Sequence, residues 1–175
     1  MSYSKITISG KICTGKSTLI GRLQKILGWP IIHSGSIFRD IAKKKKLDLL
    51  SAEEQNSQIT RKVDDTVKKA MGKPGNLLVD AWLGGILAID IPDVLTVLLT
   101  AESKTRYERF AKREQISIAK AREQVMERDK SWLEKVSVIY GRNDFFKPSH
   151  YKLILDTTRM SPEMMADCII QKIRK

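Results

Sequence analysis

Histidine and cysteine are both scarce in this chain, two of each among 175 residues. Cys13 and Cys168 lie far apart, and neither belongs to a zinc-ligand or redox spacing. A Cys/His metal centre and a disulfide framework are therefore excluded as organising chemistry. Acid is short relative to base: 32 Lys and Arg against 20 Asp and Glu leave a net charge of +12. Aromatics make up 6%, and none interleave with the densest basic run, Lys43-Lys44-Lys45-Lys46. No RRM, KH or zinc-finger pattern accompanies that run, so a nucleic-acid partner is not expected. A solvated helix end, where cations meet the negative end of the dipole, explains it more simply. No apolar stretch approaches the roughly 20 residues of a membrane span, and the N-terminus carries no leader-like stretch. The expectation is a cytoplasmic protein with no membrane partner, most simply a monomer. Its length and 42% hydrophobic content suit one domain with a sizeable core.

The excess positive charge also suits a protein that handles several phosphate groups, and one segment says how. Residues 10–17 read Gly-Lys-Ile-Cys-Thr-Gly-Lys-Ser, a complete G-x-x-x-x-G-K-[ST] pattern. Ile6, Thr7, Ile8 and Ser9 before it alternate like a strand. Leu19, Ile20, Leu23, Ile26 and Leu27 after it recur on one helical face. In that context Gly10, Lys11, Ile12, Cys13, Thr14, Gly15, Lys16, Ser17 and Thr18 form a cradle of backbone N–H groups at a helix N-terminus. Lys16 is expected at the β- and γ-phosphates of ATP, and Ser17 in the shell of Mg²⁺. Cys13 must adopt a backbone angle open to an L-residue.

Further strands are expected at Ile31-Ile32-His33, Leu77–Asp80, Val94–Leu99 and Leu153–Asp156. Helices are expected from about Ser36 to Lys46 and from Ser51, with Glu54 completing a capping box, to about Met71 before Gly72-Lys73-Pro74-Gly75. Others span about Ser103–Glu114, about Ser117–Tyr140 (apolar face Ile118, Ala121, Val125, Val136), and a last helix capped by Ser161-Pro162 (face Met165, Ile169, Ile173). Strand and helix alternate, which implies a three-layer α/β/α fold with a mainly parallel sheet of about five strands. Ligands of such sheets bind at the carboxyl ends of the strands. There the sequence places the loop, Ser34 to Arg39, Asp80 with Trp82, and Asp156-Thr157. Asp80 is the expected carboxylate partner of Mg²⁺.

These residues resemble the cytidylate (CMP/dCMP) kinases among the nucleoside monophosphate kinases, over nearly the whole length. The resemblance rests on Ile6-Thr7-Ile8-Ser9-Gly10, and on Ser34-Gly35-Ser36-Ile37-Phe38-Arg39, close to that family's D-S-G-x-[IL]-[YF]-R. Asn76-Leu77-Leu78-Val79-Asp80, Glu127-Arg128-Asp129, Ile139-Tyr140-Gly141 and Leu155-Asp156-Thr157 extend it. It implies a single P-loop kinase domain over 1–175, with an acceptor-binding insertion at about 36–72 and a lid at about 115–142. It implies in-line transfer of the ATP γ-phosphoryl to a small phosphorylated acceptor, a pyrimidine monophosphate. Lys16, Arg128 and Lys135 would serve catalysis, and Ser34, Arg39 and Trp82 would bind the acceptor. Arg128, Trp132 and Lys135 share one helical face.

The chain departs from the family on the acceptor side. Trp82 stands where the family has an arginine, Asp65 and Thr66 where it has consecutive arginines, Trp132 where it has a lid acid, and Lys135 where it has a later arginine. A different small acceptor, or a weakened nucleotide-binding switch, therefore stays open beside CMP.

Overall fold

The computed structural model describes residues 3–44 and 57–174. Five strands form one sheet: β1 (Lys5–Ser9), β2 (Ile31–His33), β3 (Leu77–Asp80), β4 (Val94–Thr100) and β5 (Leu153–Asp156). Their spatial order is β2-β3-β1-β4-β5, and every pairing is parallel. Seven helices lie among the described residues: α1 (Lys16–Leu27), α2 (Ser34–Lys44), α3 (Ser57–Met71), α4 (Gly84–Leu87), α5 (Ser103–Glu114), α6 (Ile118–Tyr140) and α7 (Pro162–Arg174). None is long and apolar enough to cross a membrane.

Period-2 alternation divides each strand between two cores. Leu78 joins Ile6, Ile8, Leu95, Val97 and Leu99 against Leu19, Ile20 and Leu23 of α1 and Met165, Ala166 and Ile169 of α7. Its neighbours Leu77 and Val79 point to the opposite face, with Val67 and Met71 of α3, Leu87 of α4 and Val136 of α6. Both faces are covered, as a parallel sheet requires.

Most expected elements form within a residue or two of their expected bounds. The second strand leads straight into α2 at Ser34, two residues earlier than expected, and the cap at Ser51 with Glu54 lies outside the described residues. Two apolar positions assigned to buried faces are exposed, Ile26 at 48% and Ile118 at 51%. The last turn of α1 keeps Leu27 rather than Ile26 against the core. Ile118, the first residue of α6, precedes the packing that begins at Ala121. Ser117 caps that helix by accepting from the Lys120 N–H.

Helix α4 has no amphipathic signal, because two glycines form it. A Cβ on Gly84 would lie 1.8 Å from Thr7 Oγ1, and one on Gly85 2.3 Å from the Tyr151 ring. Only glycine lets this turn lie flat on β1, where the Gly85 N–H donates to Ser9 Oγ at 3.2 Å. That contact fixes the Ala81–Leu83 segment just before it, and so the place of Trp82.

Candidate active site

The phosphate loop joins the carboxyl end of β1 to α1. Gly10 is held at φ 149°, where a Cβ would meet Leu99 O at 2.6 Å and Thr14 Oγ1 at 2.7 Å. Cys13 takes the left-handed φ of 60°, within the narrow region open to L-residues, and Gly15 follows at 87°. Buried Thr14 closes the turn by donating to Lys11 O at 2.9 Å. Helix α1 then starts with no side-chain cap and no acidic residue in its first turn. Its first N–H groups and positive dipole end are thus left for an external anion.

Lys16 folds back over the loop, donating to Gly10 O at 2.8 Å and Lys11 O at 3.0 Å. Its Nζ also lies 5.2 Å from the Trp82 ring centroid. Burial pushes its ammonium down to about 8, while the Asp80 carboxylate pulls the other way. Burial likewise pushes the Cys13 thiol up, against the pull of Arg113, Arg106, Lys16 and Arg128.

Loop, sheet and helices enclose an open cleft of about 2040 Å³ at the carboxyl ends of the strands. Ile12, Cys13 and Gly15 to Thr18 line it along the phosphate loop, whereas Gly10, Lys11 and Thr14 do not line it. Ser34 and Arg39 of α2, Asp80 at the end of β3 with Trp82 just beyond it, and Arg128, Trp132 and Lys135 of α6 line the same cleft. Arg39 is exposed, its guanidinium donating to Ser36 Oγ at 3.2 Å. Lys135 Nζ lies 5.7 Å from the Phe38 ring centroid. Trp132 packs on Trp82 with centroids 4.3 Å apart and planes at 48°, and Phe145 and Phe146 back it at 6.0 and 5.8 Å. Asp65 and Thr66 are exposed on α3, and neither lines the cleft.

Several residues at this site carried no expectation from sequence. His33 Nδ1 lies 3.3 Å from Asp80 Oδ2, because β2 and β3 pair His33 with Asp80. Arg106, buried on α5, donates from Nε to Ile12 O at 2.8 Å and from its terminal nitrogen to Asp129 Oδ2 of α6 at 2.6 Å. Arg109 donates to Cys13 O at 3.3 Å, Thr157 Oγ1 at 2.8 Å and Thr157 O at 2.7 Å. Two arginines of α5 thus hold consecutive loop carbonyls. Their spacing of three on a helix that follows a central strand was the available signal. A basic helix face ordinarily reads as solvated.

Among the described residues no group of three or more His, Cys, Asp or Glu gathers as a metal cage. Mg²⁺ needs none, since one or two protein oxygens plus substrate phosphates suffice. The Ser17 hydroxyl in the first turn of α1 and the Asp80 carboxylate at the end of the adjacent strand fit that donor set. The uncapped loop, the two oxygens beside it and a facing cleft wall with cationic side chains are suited in their chemistry to phosphoryl transfer.

Comparison with known proteins agrees. The AAA domain family matches residues 6–130. The cytidylate kinase of Sulfurisphaera tokodaii is 35% identical over 167 residues, covering 94% of this chain and 92% of that protein. The cytidylate kinase of Thermoplasma acidophilum is 33% identical over 173 residues (97% and 92%), and that of Pyrococcus abyssi 34% over 161 residues (90% and 87%). Among solved structures, an uncharacterized protein from Eubacterium ventriosum superposes with a TM-score of 0.76 at 14% identity, over 98% of each chain. Shikimate kinase from Bacteroides thetaiotaomicron does so with 0.64 at 14% identity, also over 98% of each. These two likenesses carry the fold alone.

Proposed function

The chain belongs to the cytidylate kinase family of P-loop nucleoside monophosphate kinases, and from that premise we propose that it transfers the ATP γ-phosphoryl to CMP or dCMP, giving the diphosphate. One observation carries this reading: Lys16, beside an uncapped helix N-terminus, opens on the same cleft as Arg39 and Lys135 on the facing walls. Donor and acceptor phosphates therefore have cationic seats across one space.

In the proposed reaction the loop N–H groups and Lys16 bind the β- and γ-phosphates. An acceptor phosphate oxygen forms the new P–O bond as the bond to the ADP oxygen breaks. The catalysis is positioning and charge neutralisation, so each group acts by where it stands. Mg²⁺ bound through Ser17 and Asp80 would supply neutralising charge between the phosphates. His33 would hold the Asp80 carboxylate in orientation for that role. Ser34 and Arg39 would seat the acceptor phosphate, the guanidinium matching two of its oxygens. The α2–α3 segment would form the acceptor-binding insertion. Helix α6 would form the lid, bringing Arg128 and Lys135 to the transferring group and excluding water.

The Trp82–Trp132 pair favours a second reading, in which another small acceptor is used or turnover is weak. Aromatic rings stand there in place of an arginine and an acid, so this wall offers the acceptor phosphate one guanidinium fewer. An acceptor panel of CMP, dCMP, UMP and AMP, scored by ADP release, separates the readings. Turnover raised by CMP or dCMP supports the first. No rise over the ATP-only background with any of the four contradicts it.

A further inference from the structure

Arg106 of α5 is buried and does not line the cleft, whereas Ile12 and Cys13 do. Its Nε donates to Ile12 O at 2.8 Å and its terminal nitrogen to Asp129 Oδ2 of α6 at 2.6 Å. No cis peptide occurs among the described residues, and in a planar trans peptide the C=O and N–H point in opposite directions. The grip on Ile12 O therefore turns the Cys13 N–H away from Arg106. At Cys13 the backbone enters the left-handed region, and the next carbonyl goes to Arg109. Asp129 is the chain neighbour of Arg128, which lines the cleft from α6. One guanidinium thus holds a peptide of the phosphate loop and the turn of α6 that carries Arg128. Ile12 also packs with Ala121 and Val125 of the same helix. A lysine ammonium lacks the fork that meets both partners at once, and an apolar side chain would strand the Asp129 charge.

We propose that Arg106 is a positioning residue of the nucleotide site: it aims the Cys13 N–H at the polyphosphate of ATP and, through Asp129, sets Arg128 of α6 against the terminal phosphate. The proposal rests on the kinase reading for its ligand. An N–H that is already aimed needs no reorganisation when the anion arrives. A cation on the carbonyl of the same peptide also polarises that N–H, which strengthens it as a donor. The link to α6 adds a difference between nucleotides. ADP meets the loop, whereas ATP also offers its γ-phosphate to Arg128. Cutting the tie at Asp129 therefore weakens ATP and spares ADP, while loosening the grip on Ile12 weakens both. A guanidinium that only completed the core would give no such distinction.

Calorimetric binding of ATP and ADP is measured with Mg²⁺, below the lowest melting temperature of the set, with CMP-dependent ADP release by the wild type in parallel. The set is the wild-type chain, Arg106→Lys, Asp129→Asn, Arg128→Ala, and the double variant of Asp129→Asn with Arg128→Ala. Asp129→Asn keeps the donor on Ile12 O, so it should bind ADP within about twofold of wild type and ATP about tenfold more weakly. With Arg128→Ala already present, the same change should not weaken ATP further, because Asp129 acts through Arg128. Arg106→Lys should weaken both nucleotides by about tenfold. Unchanged affinities in Asp129→Asn and Arg106→Lys, a proportional loss of ATP and ADP in Asp129→Asn, or full additivity with Arg128→Ala would each overturn the assignment. The expected affinities without CMP-dependent release would support Arg106 and refute the kinase reading. CMP-dependent release with unchanged affinities would do the reverse.

Discussion

Lys16 Nζ rests 5.2 Å from the centre of the Trp82 ring, so the cation of the phosphate loop and an aromatic residue of the cleft wall are in direct contact. Trp82 is held in turn by Trp132 of α6. The loop lysine, the turn after β3 and the proposed lid are thereby joined through two rings. An incoming phosphate competes with the ring face for the ammonium, since a cation–π contact is worth about 0.5–2 kcal/mol and a charged hydrogen bond to phosphate more.

Titration with ATP should therefore change tryptophan emission, because the charge beside Trp82 moves. Trp82→Phe should lose most of the change, while Trp29→Phe keeps it. A full signal surviving in Trp82→Phe would show that Lys16 does not leave the ring.

The lowered ammonium of Lys16 gives a pH dependence with a defined sign. Its ordinary value of 10.5 falls to about 8 in the folded chain. Between these values the unfolded chain holds a proton that the folded one has lost, so folding stability contributed by Lys16 rises with pH across that window. ATP binding runs the opposite way, because phosphates restore the charged form. The Kd for ATP should rise as pH passes about 8, and Lys16→Arg, charged throughout, should show a flat profile. Calorimetry at several pH values checks both. A wild-type profile as flat as that of the arginine variant would contradict the assignment.

Arg106 and Asp129 form a buried ion pair, their side chains 6% and 13% exposed. Among the described residues Asp129 Oδ1 has no hydrogen-bond partner. Removing one partner strands the other charge and costs about 3–5 kcal/mol, whereas replacing both by apolar residues costs far less. Arg106→Met should accordingly lower the melting temperature by about 2–4 °C per kcal/mol lost. Adding Asp129→Leu should recover part of that loss. ATP affinity should stay reduced in both, because the Ile12 carbonyl has lost its donor in both. Additive losses in the double variant would show that the pair is not coupled.

Much of this architecture was legible because local pattern and global fold agree. The loop, the strand endings at Asp80 and Asp156 and the Ser161 cap are short-range signals, and the parallel sheet brings the loop and the strand endings to its carboxyl edge. What was not legible depends on long-range packing. Gly84 and Gly85 signal only a breaker until Thr7 and Tyr151 are seen beneath them. Arg106 looks like a surface cation until the Ile12 carbonyl and Asp129 surround it. Asp64 is one acid in a polar helix, and only the turn of α3 buries it while leaving Asp65 and Thr66 in solvent.

Cys13 supplies a test of the loop itself. A left-handed angle costs an L-residue about 1–2 kcal/mol, and glycine gives back about 0.5–1 kcal/mol in chain entropy. Cys13→Gly should therefore leave stability equal or slightly raised, while the β-branched Cys13→Val should destabilise by about 1–2 kcal/mol and weaken ATP binding. Chemical denaturation measures both. Equal stability for the Gly and Val variants would mean that the loop is not held at this angle.

The central claim is that the cleft joins an ATP site to a pyrimidine monophosphate site for phosphoryl transfer. ADP release from ATP with CMP as acceptor, in the wild type and in Lys16→Ala, tests it most directly. The account predicts CMP-dependent release in the wild type and its loss, by about 10²-fold or more, in the variant. Release that does not depend on CMP, or that survives the loss of Lys16, would contradict it.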